Sequence, residues 1–192
     1  MKKVFCMLLF FLFVPLIASA QVKKESKTKE PATKLEAFLA KKGRLIVKEF
    51  YYLGIVYGKY GSKIKFNGIV VYEPGQKNRK MRGLQIKIIE GGKYDKSDIS
   101  FLDIEEVESL STAIKYLIDV SKKWYGINKE YTEVIFSTKD NFEIGFFQKG
   151  SNQMAFASSG YIGKVSCFFE SMEDLNTIKS IVDDGLKILR KK

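Results

Sequence analysis

The segments Ser100–Leu110 (SFLDIEEVESL) and Phe168–Ile178 (FFESMEDLNTI) carry one pattern twice, and that repetition constrains the fold more than any other feature of the chain. Each begins with a strand-like end bearing a phenylalanine. A capping residue, a cluster of acids and a helical apolar stripe follow. The two align without gaps at an offset of 68 residues, Phe101 falling on Phe169, Asp103 on Ser171, Glu106 on Asp174 and Val107 on Leu175. Side chains alternate along a strand, so Ile99 and Phe101 share one face, as Cys167 and Phe169 do. Each pair leads straight into a helix that can cover it.

Period-two alternation upstream of each helix marks strands, and 3.6-residue spacing marks the helices themselves. In the first half the strand-like stretches are GRLIVKEFYYLGIVYG, SKIKFNGIVVYEPG, GLQIKIIEGG and KSDISFLD. Gly54 suits a bulge or bend, and Pro74-Gly75 a turn. The helix DIEEVESLSTAIKYLIDVSKKW follows, with Asp103 as N-cap, Glu106 three residues on, and a stripe running from Ile104 through Ile114 to Ser121. The second half repeats the plan with EYTEVIFST, FEIGFFQKG, NQMAFASSG and IGKVSCFF. Asp140-Asn141 suits a tight hairpin turn. Ser171 stands as cap of the last helix with Asp174 at the capping-box place, and Met172, Leu175, Ile178, Val182, Leu186 and Leu189 form its stripe. The fold class expected is α+β, a tandem ββββα–ββββα pseudo-repeat of antiparallel sheets each covered by one long helix. Residues 35–128 form the first unit and 129–192 the second, within one compact domain. A sheet covered on one side leaves its other face for a second sheet, a partner or a ligand.

Two strand-strand-strand-strand-helix units in tandem, over most of Arg44 to Lys192, resemble the single-stranded nucleic-acid-binding folds of the Whirly, PUR-alpha and PC4 group. The resemblance is topological. No diagnostic motif of the group is present, such as the lysine-rich motif of the Whirly proteins, so it implies a fold and carries no binding residue across.

The N-terminus points away from the nucleus and cytoplasm. Lys2 and Lys3 precede an apolar run, Val4 to Ile17, and Ala18-Ser19-Ala20 has the A-x-A form of a cleavage site. Together these read as a secretory signal peptide over 1–20, cleaved after Ala20, since the run falls short of the ~20 residues of a membrane span. The expected location is secreted or periplasmic, in a bacterial cell envelope. Residues 21–34 are polar and lysine-rich without aromatics, and read as a flexible basic leader. The net charge of the chain is +11. Lys2 and Lys3 leave with the signal peptide, and the leader holds five lysines against two glutamates. The remainder is therefore about +6, a balance that suits either an anionic partner or simple solubility.

The chemistry is chiefly one of exclusions. The chain has no histidine and, beyond Cys6 of the signal peptide, only Cys167. Serine or cysteine triads and closed zinc sites cannot be built from this set. The apolar setting VSCFF suits a buried, inert thiol. The acid clusters sit at helix starts, where they complement the helix dipole. No cofactor, metal or catalytic residue is expected. The informative excess is aromatic residues on strands. Consecutive pairs such as Tyr51-Tyr52, Phe146-Phe147 and Phe168-Phe169 put one ring on each side of a sheet. The outward ring faces a second sheet, a dimer partner or a ligand. On the last strand Lys164, Ser166 and Phe168 share the face opposite Val165, Cys167 and Phe169, with Tyr161 beside them. The loop QKNRKMR supplies Lys77, Arg79, Lys80 and Arg82 as a basic patch suited to an anion. These eight are the ligand-binding candidates. The function expected is a non-enzymatic binding protein that uses an aromatic sheet face and basic loops. The alternatives left open are a nucleic-acid or anionic-polymer binder and a hydrolase working with carboxylates alone.

Overall fold

Alternating apolar residues give strands one dry face each, and here two sets of four hairpin-linked strands bury those faces in a common core. The computed structural model of the chain describes residues 30–76, 79–92 and 96–192. The expected signal peptide and the leader up to residue 29 lie outside the described residues. A short helix, α1 (Lys34–Leu39), precedes β1 (Val47–Tyr57), β2 (Lys63–Tyr72), β3 (Met81–Ile89), β4 (Ser97–Asp103) and α2 (Ile104–Trp124). The second half supplies β5 (Lys129–Ser137), β6 (Glu143–Gly150), β7 (Asn152–Ser159), β8 (Val165–Phe168) and α3 (Asp174–Arg190). The sheets are β1-β2-β3-β4 and β5-β6-β7-β8, antiparallel throughout. The tandem ββββα plan is therefore present. The register slips by one residue between Tyr52 and Gly54, a bulge at the expected glycine. Asn141 adopts φ 55° in the β5–β6 turn, a conformation asparagine tolerates.

The helices do not each stay with their own sheet. α3 lies across β1, β2 and β3, while α2 runs beside it over β3 and β4 and reaches β5 and β6. A Cβ on Gly54 of β1 would sit 2.9 Å from Ile181 Cδ1 of α3. Trp124, at the end of α2, meets Phe146 of β6 edge-on at 5.9 Å. The reason is width. Four strands at ~4.8 Å spacing exceed the ~10 Å that one helix covers. Two helices side by side, shared between sheets, close one core containing Phe66, Leu84, Leu110, Phe146, Phe169 and Val182.

The offset of 68 holds for the helices and fails for the strands. Val107 and Leu175, Leu110 and Ile178, Ile114 and Val182 are all buried. In β4, however, Ser100 and Leu102 face the core while Ile99 is exposed; in the second half Cys167 of β8 and Phe169 just beyond it face the core. The strand offset is thus 67. The extra residue lies between β8 and α3, where Ser171–Glu173 forms a separate turn before the helix proper. There the Ser171 N–H donates to the Asp174 carboxylate at 3.0 Å, and the Ser171 hydroxyl accepts from the Glu173 N–H at 3.2 Å. The Ser171–Asp174 pairing exists, but it closes this turn and does not cap α3, which begins after Glu173.

Asp103 departs from expectation too. It is the N-cap residue of α2, yet its carboxylate caps another helix. It accepts from the backbone N–H groups of Lys34 (2.9 Å) and Leu35 (3.0 Å) in α1. Helix α1, absent from the sequence reading, starts at a capping box between Thr33 and Glu36, so the folded part includes residues assigned to the leader. Its Leu35 and Phe38 cover Ile69, Val71 and Phe101 on the outer side of the first sheet. Gly83 permits this approach, since a Cβ there would fall 1.9 Å from the Leu102 carbonyl oxygen and 2.4 Å from Leu35.

The two halves also meet through polar groups. The Ser100 hydroxyl donates to the Asp140 carbonyl oxygen at 3.0 Å and lies 2.6 Å from the Ser159 hydroxyl, which donates to Asp98 at 2.5 Å. The Phe101 N–H donates to the Asp140 carboxylate at 2.8 Å. Ser100, Asp140 and Ser159 are all buried, so each bond left unmade would cost more than its formation gains.

Replacing Asp103 by alanine leaves two N–H groups of α1 without acceptors beneath a dry cluster. Asp103→Ala is expected to lower stability by about 1–3 kcal/mol in urea unfolding and to open the chain near Leu39 to limited proteolysis. Unchanged stability would show that the carboxylate is dispensable for seating α1.

Candidate functional site

Strand alternation sends every second residue of β5–β8 away from the core, and the registers set these residues in rows. Glu143 lies between Ser137 and Ser158, and Ser158 opposes Ser166. In the next row Ile135 opposes Gly145, Gly145 opposes Phe156, and Phe156 opposes Phe168. In the third, Glu133 opposes Phe147. Gly145 lets β5 pack closely against β6, since a Cβ there would fall 2.3 Å from the Val134 carbonyl oxygen and 3.2 Å from Ile135 Cγ1. The outward side chains of these rows line an open groove of about 530 Å3 on the outer face of the second sheet.

The groove has an aromatic floor and a polar end. Ring centroids step across the strands from Tyr131 to Phe147 (6.1 Å), Phe156 (6.4 Å) and Phe168 (6.3 Å). These separations are within the range of favourable aromatic pairs. Tyr131 and Phe168 remain 56% and 36% exposed, well above what a core ring shows. At the polar end the Lys164 ammonium lies 2.6 Å from Glu143, and the Ser158 hydroxyl donates to the same carboxylate at 3.1 Å. At the other end the Tyr131 hydroxyl donates to Glu133, and that bond holds the phenol above its usual pKa. The groove thus offers two carboxylates, one ammonium and two serine hydroxyls around an apolar stretch.

Of the sequence candidates, Lys164, Ser166 and Phe168 line this groove. Tyr161 does not: it stands in the β7–β8 loop, 80% exposed, outside the lining. The basic loop spreads in several directions. Lys77 lies outside the described residues. Arg79 is exposed, and Lys80 lies over the Tyr72 ring at 5.3 Å. Arg82 points toward the start of α2, into a recess of about 200 Å3 shared with Lys34, Asp103 and Glu105. Its Nε is buried with no hydrogen-bond partner among the described residues. Tyr131, Glu133, Ile135, Glu143, Phe156 and Ser158 were not singled out from the sequence as one surface. The tight turn at Asp140-Asn141, which fixes Ser137 opposite Glu143, is the signal from which their rows could have been counted.

Cys167 is on the core side, wholly buried, and its thiol accepts from the Ser62 hydroxyl at 3.3 Å. Burial pushes the thiol pKa up, and the Ser62 bond only partly offsets this. Among the described residues no group of acids, cysteines or histidines is placed to hold a metal ion, and no helix is long and apolar enough to cross a membrane.

No protein-family model, no curated protein and no solved structure matches the chain.

A thiol with its pKa raised and no access to water reacts only on opening. In a Cys6→Ser background, Cys167 is expected to be inert to a disulfide reagent at pH 8 in native buffer, and to react fully in denaturant. Rapid labelling of the native protein would contradict the burial.

Proposed function

We propose that the protein is a non-enzymatic binding protein whose ligand lies in the groove of the second sheet, against Phe147, Phe156 and Phe168. The observation that carries this reading is the run of four partly exposed rings ending at one hydrogen-bonded polar cluster. An apolar concavity with a few convergent polar groups is the usual form of a small-molecule site. The lining fits a ligand with a flat or apolar body and a polar end that pairs with Lys164, Glu143 and the two serines. The signal-like N-terminus, Met1 to Ala20, supports a place outside the cytoplasm.

The non-enzymatic reading rests on the groups available. The chain lacks histidine and its mature cysteine is buried. Glu133 and Glu143 both face the groove, but Glu143 opposes Ser137, four residues along β5 from Glu133. At ~3.3 Å per residue their backbones are about 13 Å apart along the strands. Paired glycosidase carboxylates stand about 5–9.5 Å apart. Both acids are also engaged, Glu143 with Lys164 and Ser158, Glu133 with Tyr131.

A neutral fluorescent probe, N-phenyl-1-naphthylamine, tests the groove directly. Saturable one-to-one binding is expected, weakened roughly three- to tenfold by Phe156→Ala and by Phe168→Ala, the scale of one aromatic contact. Tyr161→Ala is expected to leave it unchanged. Absence of saturable binding, or indifference to both phenylalanine variants, would remove the groove as the site.

A further inference from the structure

The outer face of the first sheet is built from different chemistry. α1 covers the end of it that carries Ile69 and Val71 and reaches Phe101, the β4 member of the next row. Beyond that end the registers give three open rows. Tyr52 opposes Asn67, and Asn67 opposes Gln85, the two amides joined at 3.1 Å. Ile55 opposes Lys65, Lys65 opposes Lys87, and Lys87 opposes Ile99. Tyr57 opposes Lys63. Lys65 and Lys87 are thus like charges directly across a ladder, with Lys63 two residues along on the same side. Such a pair destabilises a sheet. Among the described residues none of the three lysines has an ion-pair partner. Tyr52 and Tyr57, 69% and 67% exposed, stand on β1 at the border of the lysine cluster.

We propose that this face is a second binding surface, separate from the groove, and that its ligand is an acidic polysaccharide. Each component of the face has a counterpart in such a chain. Carboxylate groups neutralise Lys63, Lys65 and Lys87 and remove their repulsion. The Asn67–Gln85 pair presents amide donors and acceptors to hydroxyl groups. The exposed rings of Tyr52 and Tyr57 offer apolar faces to the C–H side of a sugar ring. A single-stranded nucleic acid fits less well. It calls for rings set between the charges, where successive bases can stack, and here the residues flanking Lys65 and Lys87 in their row are isoleucines.

The test uses the full chain and three probes: a polygalacturonate oligomer, neutral dextran, and an oligothymidylate of the same charge as the polygalacturonate. Titration calorimetry at 50 and 200 mM salt is expected to show polygalacturonate binding that weakens with salt, no dextran binding, and weaker oligothymidylate binding. Lys87→Glu places an acid opposite Lys65. It is expected to reduce polygalacturonate affinity by about tenfold or more while leaving the thermal midpoint unchanged or higher, because the cross-strand repulsion becomes an attraction. A lost site through misfolding would instead lower the midpoint. Tyr52→Ala is expected to weaken binding with the same salt dependence, and Phe156→Ala in the groove to have no effect. The proposal is overturned if wild-type protein does not bind polygalacturonate, or if Lys87→Glu binds it as wild type does. It is also overturned if the oligothymidylate binds as tightly or more tightly, which would assign the face to nucleic acid. Loss of polygalacturonate binding in Phe156→Ala would assign it to the groove.

Discussion

The structure depends on a mismatch of widths between a four-stranded sheet and a single helix. Neither half can dry its own inner face with its own helix, so α2 and α3 lie side by side and serve both sheets. Leu175, Ile178, Val182 and Leu189 of α3 are buried in the common core, against strands belonging largely to the other half. Each such side chain contributes about 1.5–3 kcal/mol. Their sum is comparable with the whole stability of an ordinary domain. The first sheet therefore has no stable core without the last helix of the chain, and a sequence written as two units folds as one.

That sharing explains what the sequence could and could not reveal. Helix and strand positions follow from periodicity within a short window, so the eight strands and both long helices stand close to where the alternation put them. Which sheet a helix covers is decided by residues a hundred positions away, such as Gly54 and Ile181, and leaves no mark in local spacing. The offset of 68 was read from two helix starts. It matched the stripes, but an additional residue between β8 and α3 reversed the faces of the strands before them, so Phe101 turned outward under α1 while its counterpart Phe169 went into the core. Helix α1 has a legible signal in Thr33 and Glu36, with Leu35 between them and Phe38 after. A six-residue helix, however, has too few turns to show a period beside a lysine-rich leader.

The groove was half legible for a related reason. Lys164, Ser166 and Phe168 share a strand, so alternation alone sets them on one face. Phe156 joins them only through the β7–β8 register, and Glu143 only through two registers and a turn. Residues in a loop have no such rule. Tyr161 sits near Lys164 in sequence and still projects away; between β2 and β3, Arg79 goes to the solvent and Lys80 to a ring contact, while Arg82, already in β3, faces the start of α2. The aromatic excess was visible in composition, yet composition does not distinguish Phe146, sealed against Trp124, from its neighbour Phe147, which lines the groove.

Duplication of this plan leaves two outward faces that the core does not constrain, and they carry opposite chemistry. The second sheet presents rings and carboxylates already engaged by Lys164 and Tyr131. The first presents lysines with no acid set among them in the described residues. Had solubility been the only demand, either face could have alternated signs across its ladders, since an acid opposite Lys65 would stabilise the sheet by roughly 0.2–1 kcal/mol. A like-charge pair placed in the middle of a sheet, where each strand is held by two neighbours, forgoes that gain without endangering the fold. The shared core makes such a concession affordable: with the inner faces locked by two helices held in common, the outer rows can be arranged for what they meet in solution.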